Sequence, residues 1–513
     1  MISLLLILLP LVTAVVLLFV RTPVAVRGIA LVGALITFVT ATLLPGSAGL
    51  LTPWIPGFGA YLALDPNYAG GILALVASLV MLPTALWASL RVEVNPNRFL
   101  SALFAMWGGL MGLFLARDLV LFYVFWEFTL LPSLAMLAGW GGTQRRQATL
   151  KYLLYAVAGS FAMLLSVAAI RPLSGAESYL FVDLLAASET LDVLTQTWLF
   201  AGFALAFAVK LPLFPVHHWL VDFHEQNHPS GAADVAGALY KVGGFGMFAW
   251  ALPLLPEGAV QAAPWLLALG AFTAAYAAVI AARQHHLKRL LAYASLSHMG
   301  LVAVGLFGLH LAGLSGAMYL LAAQMVTTGG MFLISGMLHA RRGSFDADSY
   351  GGLASSAPAL AATTLLVLFA SIGVPGLANF PGEFLALLGA FQASSAAGVL
   401  ALVAVIAAGV YGVNLYQRLY QGPEPTPVVD LRPLEVVVLA PIVAGTLWLG
   451  LAPAPPLRAF QADASVTVRQ VQQAAARAEP LAAFEAPAVT EALAAFEGAA
   501  VNEPLAAFEE VER

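Results

Sequence analysis

The sequence predicts an all-α polytopic membrane protein of about 14 transmembrane helices, with two inverted five-helix repeats and broken helices at spans 7 and 12. Three observations carry that fold class. Of the 513 residues, 61% are hydrophobic and only 10% are charged, far from the balance of a soluble globular domain. Apolar runs of about 20 residues, the length that crosses a bilayer, follow one another as far as residue 452. The basic residues fall almost entirely in alternate loops.

The spans are expected at 2–20, 28–45, 70–90, 99–116, 119–139, 150–170, 197–218, 233–253, 263–283, 289–308, 311–340, 359–389, 396–420 and 433–452. The first lacks a basic segment before it and reads as an uncleaved helix, not a signal peptide. Spans 311–340 and 359–389 are long and must tilt or break. Of the 22 Lys and Arg, 14 fall in odd-numbered loops: Arg21, Arg27, Arg91, Arg98, Arg145, Arg146, Lys151, Arg283, Lys288, Arg289, Arg341, Arg342, Arg418 and Arg432. Only Arg117 and Arg171 fall in even-numbered ones. By the positive-inside rule the odd loops are cytoplasmic and both termini lie outside. One miscounted helix near the middle would destroy the alternation.

Two spans carry breaks. In span 7, Lys210 is followed by Pro212 and Pro215; in span 12, Gly373, Pro375, Pro381 and Gly382 precede Glu383. Proline removes a backbone hydrogen bond and clashes with the previous turn, which a bilayer tolerates where the freed groups line protein or a wet cavity. Breaks five spans apart point to inverted repeats. The expected divisions are 1–98 (spans 1–3), 99–253 (spans 4–8), 263–420 (spans 9–13) and 433–452 (span 14). Residues 453–513 form an acidic tail in which Glu-x-Leu-Ala-Ala-Phe-Glu recurs at 479–485, 491–497 and 503–509. With nine acids and four bases, the tail carries the whole net charge of −5. It reads as a weak amphipathic helix or a largely disordered segment that could dock on a neighbour, with an inert extension the favoured reading.

Charges inside the apolar spans are the functional signal. The chain has four lysines, and Lys210 and Lys241 interrupt long apolar runs. Glu127 and Glu383 sit in equally apolar surroundings. A charge at the bilayer centre costs about 2.5–3.5 kcal/mol even on lenient scales, and such residues mark ion or proton paths. If Glu127 and Lys210 are close, each stabilises the other's charged form, and moving Glu127 away expels the lysine proton. A static buried pair is the plainer alternative. His298, within span 10, is either a satisfied core residue or a proton relay.

Other chemistry is thin. His224–Glu225–Gln226–Asn227–His228 matches the zinc-protease pattern, but that chemistry needs one continuous helix. Pro229 follows at once, so the segment reads as a polar loop at the mouth of a proton path, with His217 and His218 beside it. No metal site, nucleotide fingerprint or nucleic-acid surface is expected. The absence of cysteine excludes thiolate-held clusters and disulfides, so any electron carriers belong to other chains.

The segments Val120 to Glu127, Lys210 to His217, Leu239–Tyr240–Lys241, Lys288 to Gly300 and Gly376 to Phe384 together resemble, in order, the antiporter-like subunits of respiratory complex I, nearest to the chain M type. The resemblance covers about residues 1–450. It implies that Glu127 pairs with Lys210, that Lys241 is the central lysine, that His298 lies on a connecting axis, and that Glu383 exchanges protons with the outer side. A glutamate at the last position is typical of chain M; chains L and N carry lysine. Gln324 stands where the family often has a second relay histidine, and it can bond water but not carry a proton as a base. The implied role is proton translocation in NADH–quinone oxidoreductase of a bacterial plasma membrane, with no cofactor in this chain. The implied partners are antiporter-like neighbours on both sides, the lateral helix of chain L and the lipid bilayer. A multisubunit sodium/proton antiporter and a membrane-bound hydrogenase complex are the alternatives.

Overall fold

A computed structural model describes residues 1–239, 242–423 and 426–485, with side chains in the last stretch described as far as 477. Among these residues 13 helices are long and apolar enough to cross a membrane. Spans 1–7 are Ile2–Phe19, Pro23–Thr42, Ala69–Arg91, Pro96–Leu115, Leu119–Trp140, Arg145–Ser174 and Val193–Lys210. Span 8 runs over Ala232–Leu254 and includes a π-helical turn at Met247–Ala251. Spans 9, 10, 11, 13 and 14 are Pro256–Ala281, Leu287–Phe307, Leu311–Arg342, Ser395–Tyr420 and Pro433–Leu451. The remaining expected span, 359–389, is not one helix. It stands as Pro358–Ser371 and Phe380–Ala393, each 14 residues and separated by 372–379. Gly373 adopts φ +74° in that interval, a left-handed conformation that favours glycine. Span 7 likewise stops at Lys210, and helix resumes only at His218–Gln226.

Hydrogen bonds between loops join odd to odd and even to even. Trp140 Nε1 donates to Val94 O (2.6 Å), Gln144 N to Gln226 Oε1 (2.9 Å) and Arg418 to Gln284 O (3.3 Å). At the other end Arg117 N donates to Ala63 O and Leu119 N to Tyr179 O, both at 2.9 Å. The alternation inferred from charge is therefore also an alternation of contacts. The two basic exceptions are both held in place. Arg117 lies 3.9 Å over the Phe181 ring, and Arg171 donates to the Phe58, Ala176 and Glu177 carbonyls.

Spans 8, 10 and 11 form the core: 100%, 94% and 100% of their apolar windows are buried, against 33% in spans 1 and 2. Peripheral spans turn large side chains outward, such as Phe19, Leu131 and Leu154, as a lipid-facing surface requires. A hairpin, Leu50–Ile55 paired antiparallel with Ala60–Leu64, closes the even-loop end.

The expectation of an inert extension fails for the first part of the tail. Ala454–Glu485 is helical and lies against the body. Phe460, Ala464, Thr467, Val471 and Ala474 recur at helical spacing and are buried; such a stripe packs a helix onto its neighbours. Asp463 Oδ2 accepts from Ala69 N (2.6 Å) at the start of span 3, and Arg477 pairs with Glu257 at 3.7 Å. The side chains of the 479–485 repeat and all of the repeats at 491–497 and 503–509 lie outside the described residues.

Candidate functional site

Glu383 sits in the first turn after the interruption of span 12. Gly382, beside it, packs so tightly on span 11 that a Cβ there would lie 2.6 Å from Leu320 N. That approach carries the buried Glu383 into the core, where its Oε1 is 3.2 Å from His298 Nε2 on span 10. His298 Nδ1 is 2.7 Å from Ala294 O. A carbonyl only accepts, so Nδ1 carries a proton. Two bare lone pairs would repel at the Nε2···Oε1 contact, so a proton also lies between those atoms. The pair is either imidazolium with carboxylate or imidazole with carboxylic acid. Such a contact can hold one proton between imidazole and carboxyl.

Glu127 and Lys210 are arranged differently. Lys210 is 2% exposed. Its Nζ donates to Trp126 O (3.0 Å) and lies 3.8 Å from the centroid of the Trp126 ring. Glu127 makes no ion pair within 4.0 Å among the described residues, and its buried Oε1 has no hydrogen-bond partner there. The Trp126 main chain and ring stand directly against the Lys210 Nζ. Gln324, on span 11, accepts from Thr328 Oγ1 at 2.5 Å while its buried Nε2 has no protein partner among the described residues. An amide donor of this kind needs water or an unseen group. Pro212 and Pro375 stand in the two non-helical intervals. Lys241 lies outside the described residues.

Profiles and relatives bear on this arrangement. A family described as NADH:quinone oxidoreductase/Mrp antiporter, TM, matches residues 116–408. NADH-quinone oxidoreductase subunit 13 of Thermus thermophilus is 43% identical over 433 residues, 83% of this chain and 91% of that one. The chain belongs to the antiporter-like membrane subunits of complex I. NADH-quinone oxidoreductase subunit M of Rhodobacter capsulatus is 32% identical over 451 residues, covering 83% of this chain and 87% of its own. A chain of respiratory complex I from Thermus thermophilus, solved with bound NADH, has a TM-score of 0.87 and 41% identity, and the match covers 92% of this chain and all of that one.

Sequence reasoning missed one buried cluster in this antiporter-like subunit. His224–Gln226 is not loop: it ends a short helix, His218–Gln226. His224 Nδ1 is 3.1 Å from Asp234 Oδ1, which also accepts from Asn227 Nδ2 (3.2 Å). Lys288 Nζ is 2.8 Å from Asp234 Oδ2 and donates to the Asn227 and His228 carbonyls at 2.8 and 3.2 Å. Lys288 and Asp234 are fully buried. His224 and Glu225 are thus bound to protein partners, Glu225 to Arg289 at 2.8 Å, and among the described residues no group of three or more His, Cys, Asp or Glu is placed to hold a metal. Lys288 was counted with the loop charges because it opens span 10 beside Arg289. Asp234 was in plain view: it is an acid inside a run otherwise read as membrane helix.

Proposed function

We propose that this antiporter-like subunit translocates protons along Lys241, His298 and Glu383, and that Glu127 with Lys210 couples those proton positions to a neighbouring subunit. The observation that carries the reading is the His298–Glu383 contact of 3.2 Å at the interruption of span 12. A shared proton there can be taken from the imidazole side and released from the carboxyl side, which is what a relay to an exit requires. The buried Gln324 Nε2, without a hydrogen-bond partner among the described residues, supports a polar stretch on the same central spans. The breaks after Lys210 and after Ser371 fall at matching places if spans 4–8 and 9–13 are inverted copies.

On this reading the odd loops face the cytoplasm of a bacterial cell and both termini face outward. The quinone-reducing chemistry belongs to other chains, and this one binds no cofactor. Its partners are antiporter-like neighbours on both flanks and the lateral helix of chain L. Moving one charge against 100 mV takes about 2.3 kcal/mol, so the drive arrives from the redox arm, electrostatically or mechanically.

The test is Glu383→Gln in the assembled complex, with NADH-driven proton pumping measured in membrane vesicles. Pumping should fall at least about tenfold, equivalent to about 1.4 kcal/mol in the limiting step, with assembly intact. Pumping at the normal rate would remove Glu383 from the path. Pumping that depends on sodium would favour the antiporter reading instead.

A further inference from the structure

Asn379 is fully buried and stands at the N-cap of the second half of span 12. Asparagine is a favoured cap because its side chain satisfies the first backbone amides of its own helix. Here the side chain makes no such bond and reaches across the interruption instead. Its Nδ2 donates to Ser371 O (2.8 Å), the last residue of the first half, and lies 3.4 Å from Glu383 Oε1, while its Oδ1 accepts from Thr327 Oγ1 on span 11 (3.2 Å). Both donors and the acceptor of the amide are thereby used. Glu383 lies one turn later on the same face. Its other oxygen rests against Gly373, where a Cβ would sit 2.1 Å from Oε2.

We infer that Asn379 is the positioning residue for Glu383: it ties the carboxylate to the interruption and to span 11, and so keeps Oε1 turned toward His298. The inference rests on the proton-path reading above. The titratable groups facing Glu383 among the described residues are His298 from span 10 and the buried Tyr411 hydroxyl from span 13; Gln324 and Thr327 of span 11 are neutral.

The experiment compares Asn379→Leu, close in volume but without the amide, and Thr327→Val, which leaves Asn379 in place but frees its orientation. Both are measured for NADH-driven pumping against pH in vesicles with matched amounts of assembled complex. Losing a hydrogen bond at the carboxyl alters how readily it takes and releases a proton. Asn379→Leu should therefore lower pumping about tenfold and displace its pH profile by about one unit, and Thr327→Val should displace it less in the same direction. With Glu383→Gln already present, Asn379→Leu should add nothing, because it acts through that carboxylate. An unchanged pH profile in both variants, whatever the absolute rate, reduces Asn379 to a prop for Ser371 and overturns the inference. If Asn379→Leu does not assemble, Thr327→Val decides alone. Normal pumping by Glu383→Gln sinks the underlying path; impaired Glu383→Gln with normal Asn379→Leu and Thr327→Val sinks only the positioning role.

Discussion

Lys288 and Lys210 solve the same problem, an ammonium inside apolar helices, in opposite ways. Lys288 touches its carboxylate at 2.8 Å and spends its remaining donors on two carbonyls. Asp234 is held at both oxygens, by His224 and Asn227 at Oδ1 and by Lys288 at Oδ2, although the buried Asn227 Oδ1 has no hydrogen-bond partner among the described residues. Lys210 leans on the carbonyl and ring of Trp126, and Glu127 stands off with an unpartnered oxygen. A closed network has one low-energy arrangement, because any displacement strands a buried charge. The open one has more slack: no described cation holds Glu127 within 4.0 Å, and its side-chain bond is to the neutral Tyr123 hydroxyl. The first geometry suits a strut between spans 8 and 10, the second a switch.

Breaking the strut should have the largest effect on stability. Removing one partner of a buried, hydrogen-bonded ion pair costs about 3–5 kcal/mol, since the other is left charged in the core. Asp234→Ala should sharply reduce the amount of assembled complex, measured by native gel and thermal unfolding. Lys288→Met in combination should recover part of the loss, because no lone charge remains. If Asp234→Ala assembles and unfolds like the parent, the strut description is wrong and the cluster has slack of its own.

How much of this was readable in the chain differs between the two regions. Lys210 and Glu127 stand out because no other charged residue lies near them in sequence, and a lone charge in lipid is costly. The spans and their alternation were readable for the same reason: backbone groups must be satisfied within each helix. The Lys288 network was hidden by an edge effect, for a lysine followed by arginine at a helix start looks like a loop charge until span 7's returning helix covers it. The tail helix was masked by its mild composition; its stripe from Phe460 to Ala474 is spaced for packing but built largely from small residues. The role of Asn379 is not legible in the sequence, because its partners lie on both halves of span 12 and on span 11.

A smaller effect distinguishes the strut's surroundings. His228, in the loop before span 8, is held down to about 4 by burial and then by the Lys288 ammonium, against about 6.5 for an unperturbed histidine. Between those values the unfolded chain binds more protons than the folded one. Stability is therefore complete above about pH 6.5 and declines as pH falls toward 4. His228→Asn should flatten that decline, visible as a shift of about 1–2 °C in the unfolding temperature at pH 5 and none at pH 7.5. An equal shift at both pH values would mean that packing, not protonation, is at work.

The open pair should show the smallest effect on stability and a large one on work. Glu127→Gln keeps the shape of the side chain and removes a charge that no described cation holds within 4.0 Å. Unfolding of the complex should change by less than about 1 kcal/mol, the usual scale for changes that break no buried pair. Proton pumping should nonetheless collapse, and quinone reduction should slow with it, if the proposed coupling runs through the Glu127 carboxylate. If Glu127→Gln instead destabilises the complex as severely as Asp234→Ala, the two regions do not differ in kind, and Glu127 and Lys210 are a second strut seen in a looser pose. If it leaves both stability and pumping untouched, the distance between Glu127 and Lys210 is simply the distance between two packing residues, and the coupling must run through Lys241 and its neighbours without them.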